Sequence, residues 1–76
     1  MNLFATKLIE AREKKQLAKK EVAELFDWTP MYYGRYENGK LLPTKNNFEK
    51  FASFMGLSKD ELEAIIDSSR NIADKK

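Results

Sequence analysis

The sequence contains neither cysteine nor histidine among its 76 residues. Lack of cysteine excludes disulfide bonds and thiol chemistry, and the two absences together exclude Cys/His zinc sites. Without histidine, no imidazole-based catalytic relay can form. Because no cross-link is available, so short a chain depends on apolar packing for its stability. We also find no glycine-rich phosphate loop and no nucleophile–base pair, so we expect no cofactor, no metal and no enzyme activity.

Glycine and proline are also scarce, with three and two copies that all fall between Pro30 and Gly56. No segment alternates apolar and polar residues as a half-buried strand does, which predicts an all-α protein. The longest uncharged run is far shorter than the ~18 apolar residues of a membrane span. The start of the chain lacks the residue order of a signal peptide. These absences predict a cytoplasmic protein with no membrane partner.

Apolar spacing and cap residues predict five helices. The first covers about residues 3–15 and the second about residues 19–26. Thr29 as N-cap and Pro30 at the first helical position start the third helix, which ends at Asn38 and Gly39. Thr44 is expected to cap a fourth helix that ends at Gly56. Ser58 and Glu61 form a capping box for a fifth helix to about residue 69. Residues 1–70 then make one domain, and residues 71–76 a frayed tail.

Charge is unevenly distributed along the chain, although the net charge is only +2. Residues 1–45 carry nine basic and six acidic side chains, whereas residues 46–76 carry five basic and six acidic ones. The excess of positive charge therefore lies in the part of the chain that contains the first three predicted helices. Two short helices joined by a few residues have the lengths of a helix-turn-helix, whose second helix enters the DNA major groove.

A specific run of residues lies at the end of the third predicted helix: Tyr36-Glu37-Asn38-Gly39-Lys40, followed by Pro43. Further matching positions are Arg12, Leu17, Val22, Ala23, Phe26, Trp28, Thr29, Tyr33, Phe48, Phe51, Ala52, residues 55–58 and residues 60–62. With these residues, the segment from Phe4 to Leu62 resembles the phage-repressor, Cro-like (xenobiotic response element, XRE) helix-turn-helix family. The resemblance implies a compact five-helix lambda-repressor-like domain that binds double-stranded DNA.

The resemblance also implies roles for individual residues. It implies an ion pair between Arg12 and Glu37 that fixes the third helix against the first. Base-reading positions on the third helix fall on Met31, Tyr32 and Arg35, and the Arg35 guanidinium matches guanine O6 and N7. The phosphate-contact candidates are Lys19, Lys20, Thr29, Gly34, Asn38 and Lys40. Leu41 and Leu42 lie in the loop that related repressors use for dimer contacts, which implies a homodimer, at least on DNA.

Several positions depart from the family pattern. Ala18 stands where a serine usually caps the second helix, and Pro30 cannot hydrogen-bond a base. Gly34 lies inside the third helix and leaves its backbone bare, while Tyr33 and Tyr36 need partners for their hydroxyl groups. Two functions therefore stay open. The first is a prokaryotic or phage transcriptional regulator, in particular a repressor. The second is an antitoxin-like or anti-repressor-like module that binds a protein partner and has weakened base reading.

Overall fold

A computed structural model describes residues 2–74 of the chain, with side chains described for residues 2–70. Within residues 2–74 the protein is all-α, as predicted, and has five helices. These are α1 (Leu3–Lys14), α2 (Lys19–Leu25), α3 (Pro30–Glu37), α4 (Lys45–Met55) and α5 (Lys59–Asp74). No helix in this range is both long enough and apolar enough to cross a membrane.

The helix starts follow the predicted caps with one exception. Thr29 Oγ1 accepts a hydrogen bond from the backbone N–H of Tyr32 at 3.2 Å. Ser58 and Glu61 form both bonds of the capping box, at 2.9 and 3.1 Å. Thr44 occupies the N-cap position of α4, as predicted, but its side chain makes no cap bond. The Thr44 carbonyl instead accepts from the Asn47 N–H at 3.0 Å, and this bond closes the first turn.

The start of α1 uses two side chains that the sequence pattern did not single out. Asn2 Oδ1 accepts from the Ala5 N–H at 2.7 Å, which makes Asn2 the N-cap. The fully buried Ser69 Oγ accepts from the Phe4 N–H at 2.9 Å and donates to the Ile65 carbonyl at 2.9 Å. Two free N–H groups of α1 are thereby satisfied, and α5 is joined to the start of α1.

Helix ends share one geometry. Gly39 (φ 81°) is left-handed, as predicted, and Gly56 (φ 69°), where α4 was predicted to end, is left-handed too. Gln16 (φ 58°) and Asp27 (φ 64°) adopt the same conformation after α1 and α2, although neither is glycine. After each of the four residues, the next N–H bonds back to a carbonyl five residues earlier, as in a Schellman motif. These turns reverse the chain between successive helices over a few residues.

The fifth helix is longer than predicted. It runs to Asp74, five residues beyond the expected end at Ser69. The reason lies in composition, because no glycine or proline follows Gly56 to interrupt the helix. Lys75 and Lys76 lie outside the described residues, and the fraying of residues 71–76 stays a prediction.

The core is formed by apolar residues of all five helices, with aromatic rings at its centre. Phe51 of α4 contacts Phe4 and Phe26 edge-to-face, with ring centroids 5.2 and 5.3 Å apart. Tyr33 and Tyr36 of α3 are buried, as predicted from their spacing. Helix α1 packs against α3, α4 and α5, and α2 packs against α3. The inner side of α3 is therefore held by the bundle, which determines the direction of its outer side.

Candidate nucleic-acid interface

Helices α2 and α3 are joined by the four residues from Phe26 to Thr29. The left-handed Asp27 turns the chain, and the Trp28 N–H donates to the Ala23 carbonyl at 2.8 Å. Thr29 and Pro30 then begin α3 at once. Two short helices in contact across such a tight turn form a helix-turn-helix, as the sequence predicts.

A buried network fixes α3 against the rest of the fold. Arg12 Nε donates to Glu37 Oε2 at 2.7 Å, and only 1% of the Glu37 side chain is exposed. The Tyr33 hydroxyl donates to the same oxygen, which gives this hydroxyl the partner it needs. Arg12 Nη1 donates to the Leu17 carbonyl at 2.9 Å, just before α2. One guanidinium therefore connects α1, the start of α2 and the end of α3.

The network also affects two ionisation equilibria. The hydrogen bond to Glu37 raises the pKa of the Arg12 guanidinium, although partial burial opposes this. Burial, together with the hydrogen bond to Glu37, raises the pKa of Tyr33 well above its ordinary value. Both raised pKa values mean that the protein favours a charged Arg12 guanidinium and a neutral Tyr33 phenol. The hydrogen bonds to Glu37 require these two protonation states.

A second network links α3 to α4. The hydroxyl oxygens of Tyr32 and Tyr36 are 2.9 Å apart, and Asn47 Nδ2 donates to Tyr36 Oη at 3.2 Å. The Trp28 ring stacks on Tyr36 with a 5.4 Å centroid distance, and Lys50 Nζ lies 5.5 Å from the centre of the Trp28 ring. Burial and the hydrogen bond to Tyr32 raise the pKa of Tyr36 to about 12, while Asn47 lowers it.

The outer side of α3 is not covered by the bundle. Met31 is 74% exposed, and Pro30 and Arg35 are also exposed. A Cβ atom built on Gly34 would meet no protein atom within 4 Å. Packing therefore does not require glycine at position 34, and the space that a side chain would fill there is free of protein atoms. Of the three base-reading candidates, Met31 and Arg35 are accessible, whereas Tyr32 is half-buried and bonded to Tyr36.

The phosphate candidates lie around this side of α3. Lys19 and Lys20 are exposed in the first turn of α2, and Asn38 and Lys40 are exposed where α3 ends. The exposed Thr29 caps α3 through Oγ1, and Gly34 is half-buried. The structure thus places cationic groups at the start of α2 and at the end of α3. An extended anion that contacted both groups would lie across the helix-turn-helix.

The helix-turn-helix family model matches residues 8–62, well over half of the chain, and this match covers α2 and α3 completely. The chain belongs to the helix-turn-helix family. Within it, the sequence fits the phage-repressor, Cro-like XRE group, whose members are DNA-binding transcription regulators. Neither the curated proteins nor the solved structures contain a match to this sequence.

Some features of this helix-turn-helix domain were not predictable from the residue pattern. Ala18 offers no side-chain cap, but its N–H donates to Glu21 Oε1 at 2.7 Å, which keeps one half of a capping box. The role of Asn47 could not be predicted from the sequence, because its hydrogen bond to Tyr36 joins two different helices. Leu41 and Leu42 pack partly against the core and are only half exposed, so less of their surface is free for a partner than if they were fully exposed.

Proposed function

We propose that the protein is a sequence-specific transcriptional regulator of prokaryotic or phage type, a repressor that acts in the cytoplasm by occupying duplex DNA. Helix α3 enters the major groove. The observation that carries the proposal is the exposed outer side of α3, which Arg12 and Glu37 hold in place from beneath. A recognition helix has to be both rigidly seated and uncovered, and α3 meets both conditions.

Contacts divide by chemistry in this proposal. Arg35 donates to O6 and N7 of a guanine, and Met31 lies against a thymine methyl group. The exposed cations Lys19, Lys20 and Lys40 bind phosphate oxygens, which position the domain without reading sequence. Thr29 and Asn38 are exposed polar groups at the two ends of α3 that add neutral phosphate contacts. The bare backbone at Gly34 admits the DNA at close range.

We further propose that two copies bind a two-fold symmetric site. One helix of eight residues reaches too few base pairs to provide useful specificity, and dimers of such domains read two half-sites. The exposed parts of Leu41 and Leu42, in the loop after α3, contribute to the contact between copies. This loop lies beside the proposed DNA surface, so a contact here sets the spacing of the half-sites.

Selection of bound sequences from a random duplex pool tests the proposal. We expect an enriched motif whose inverted halves report two copies. Affinity should fall linearly with log salt concentration as phosphate contacts release counterions. Arg35→Ala should reduce the preference for the selected motif, whereas Lys40→Ala should weaken all sites alike and lower the salt slope by about 1. If the intact chain binds no duplex even at low salt, the proposal fails.

A protein partner is the second candidate function, and the exposed apolar residues favour it. Met31 and Leu25 are the large apolar side chains with the greatest exposure among residues 2–70, at 74% and 66%. An interaction module would bury such residues in its interface. Stoichiometric recovery of one host protein, with no enriched DNA, supports this candidate. Recovery of DNA instead supports the regulator.

A further inference from the structure

Three polar groups of α3 and α4 form a hydrogen-bonded chain with a defined direction. Asn47 Nδ2 donates to Tyr36 Oη, and an amide NH2 group cannot accept a bond in return. Tyr36 is 2% exposed, so its own proton does not reach bulk water. The hydroxyl of Tyr32, 2.9 Å away, is the acceptor that its contacts leave. The order of donation is therefore Asn47 to Tyr36 to Tyr32.

This direction leaves the proton of the Tyr32 hydroxyl free. Within residues 2–70, Tyr32 Oη has Tyr36 as its hydrogen-bond partner and no other. Because its oxygen already accepts a bond from Tyr36, Tyr32 is prepared to donate to an external acceptor. Hydrogen bonds in a chain polarise one another, so the terminal donor is strengthened.

The position of Tyr32 indicates which acceptor it meets. Tyr32 is half-buried, so it lies between the exposed and the buried side of α3, and its hydroxyl reaches Tyr36, which Asn47 of α4 contacts. Its ring is held edge-to-face by Trp28, with centroids 4.8 Å apart at 88°. The centre of a helix in the major groove faces the bases, and its margins face the sugar–phosphate walls. An acceptor at this margin is a phosphate oxygen.

We propose that Tyr32 donates a hydrogen bond from its hydroxyl to a DNA phosphate, and that Asn47, outside the helix-turn-helix, is a positioning residue that sets the direction of this donation. The inference rests on the proposed function. It assigns Tyr32 to the backbone and not to base reading. It also gives α4 a part in DNA binding that does not require contact between Asn47 and DNA.

Reversing the direction of the hydrogen bonds from Asn47 through Tyr36 to Tyr32 tests the inference. Asn47→Asp replaces the amide donor with a carboxylate that accepts from Tyr36, so Tyr36 accepts from Tyr32 and no proton points outward. The new negative charge weakens DNA binding by itself, and Asn46→Asp, at the exposed neighbouring position, serves as the matched control. Affinity for a selected duplex and for an unrelated duplex is measured by fluorescence anisotropy across a salt series. The free energy of unfolding is measured in parallel so that only folded protein is counted.

We expect Asn47→Asp to lose about tenfold more affinity than Asn46→Asp, the effect of one hydrogen bond to a charged group. In a Tyr32→Phe background the two Asp variants should lose the same amount. Tyr32→Phe alone should weaken both duplexes by a similar factor and leave the salt slope unchanged, since a neutral donor displaces no counterion. Tyr32→Phe leaves the buried Tyr36 hydroxyl without an acceptor for its proton. The double variant Tyr32→Phe/Tyr36→Phe removes that hydroxyl as well and so repeats the test without an unsatisfied Tyr36 donor.

Equal losses for Asn47→Asp and Asn46→Asp, or an extra loss that persists in Tyr32→Phe, overturn the role of Asn47. A Tyr32→Phe protein with unchanged affinity, or with an altered sequence preference, overturns the phosphate contact. These outcomes differ from failure of the proposed function, because in that case the unmodified protein binds neither duplex.

Discussion

Replacing Gly34 with alanine should have opposite effects on folding and on DNA binding. Gly34 lies in the interior of α3, where glycine costs about 0.5–1 kcal/mol relative to alanine because its backbone loses more freedom on folding. The added methyl group would meet no protein atom within 4 Å, so no steric cost opposes this gain. We therefore expect the free energy of unfolding to rise by about 0.5–1 kcal/mol.

The same methyl group would project from the surface that we propose faces DNA. If the duplex approaches the bare backbone of α3, the variant should bind more weakly although it is more stable. Urea denaturation followed by the fluorescence of Trp28, the single tryptophan, gives the stability. Fluorescence anisotropy with a labelled duplex gives the affinity.

Gly56 provides the matched control for stability. A Cβ atom there also meets nothing within 4 Å, but φ is 69°, in the left-handed region. Gly56→Ala should therefore lower the free energy of unfolding by about 1 kcal/mol or more. A destabilised Gly34→Ala protein would refute our account of packing around α3. A stabilised Gly34→Ala protein with unchanged affinity would refute close approach of DNA at this position.

Three further predictions concern stability. Arg12→Met strands the buried Glu37 carboxylate and should cost about 3–5 kcal/mol in urea denaturation; a loss below about 1 kcal/mol would mean that the pair behaves as an exposed one. Asp27→Gly relieves a left-handed aspartate and should add about 0.5–1 kcal/mol, whereas Glu24→Gly, within α2, should cost about 1 kcal/mol. The pKa of Tyr36 is raised from 10.0 to about 12, so its contribution to stability is complete below pH 10 and is lost as pH rises through 12. Tyrosinate absorbance should then rise together with alkaline unfolding, and a Tyr36→Phe protein should lose less stability over that interval.

The residue pattern determined the local features of the site. Thr29, Pro30 and Gly39 mark the ends of α3, because caps and left-handed turns depend on residues adjacent in the chain. The spacing of Tyr33 and Tyr36 also predicts that they face inward, as the structure shows. The resemblance to the XRE family supplied the pairing of Arg12 with Glu37, which spacing alone does not give.

Local signals failed where a competing contact was not visible in the sequence. Thr44 has the residue type of a cap and the cap position, yet its side chain makes no cap bond. The sequence predicts turns at Gln16 and Asp27, but not that these two residues adopt the left-handed conformation that favours glycine.

Composition, helix periodicity and cap residues by themselves determined that this chain is all-α, and they marked where α3 begins and ends. These are local properties, fixed by a few neighbouring residues. Only the tertiary structure decided that Ser69 caps α1, that Leu41 and Leu42 rest against the core, and that Asn47 reaches the tyrosines of α3. Each of these contacts joins side chains that come together only when the helices pack, and the geometry of that packing depends on the whole core.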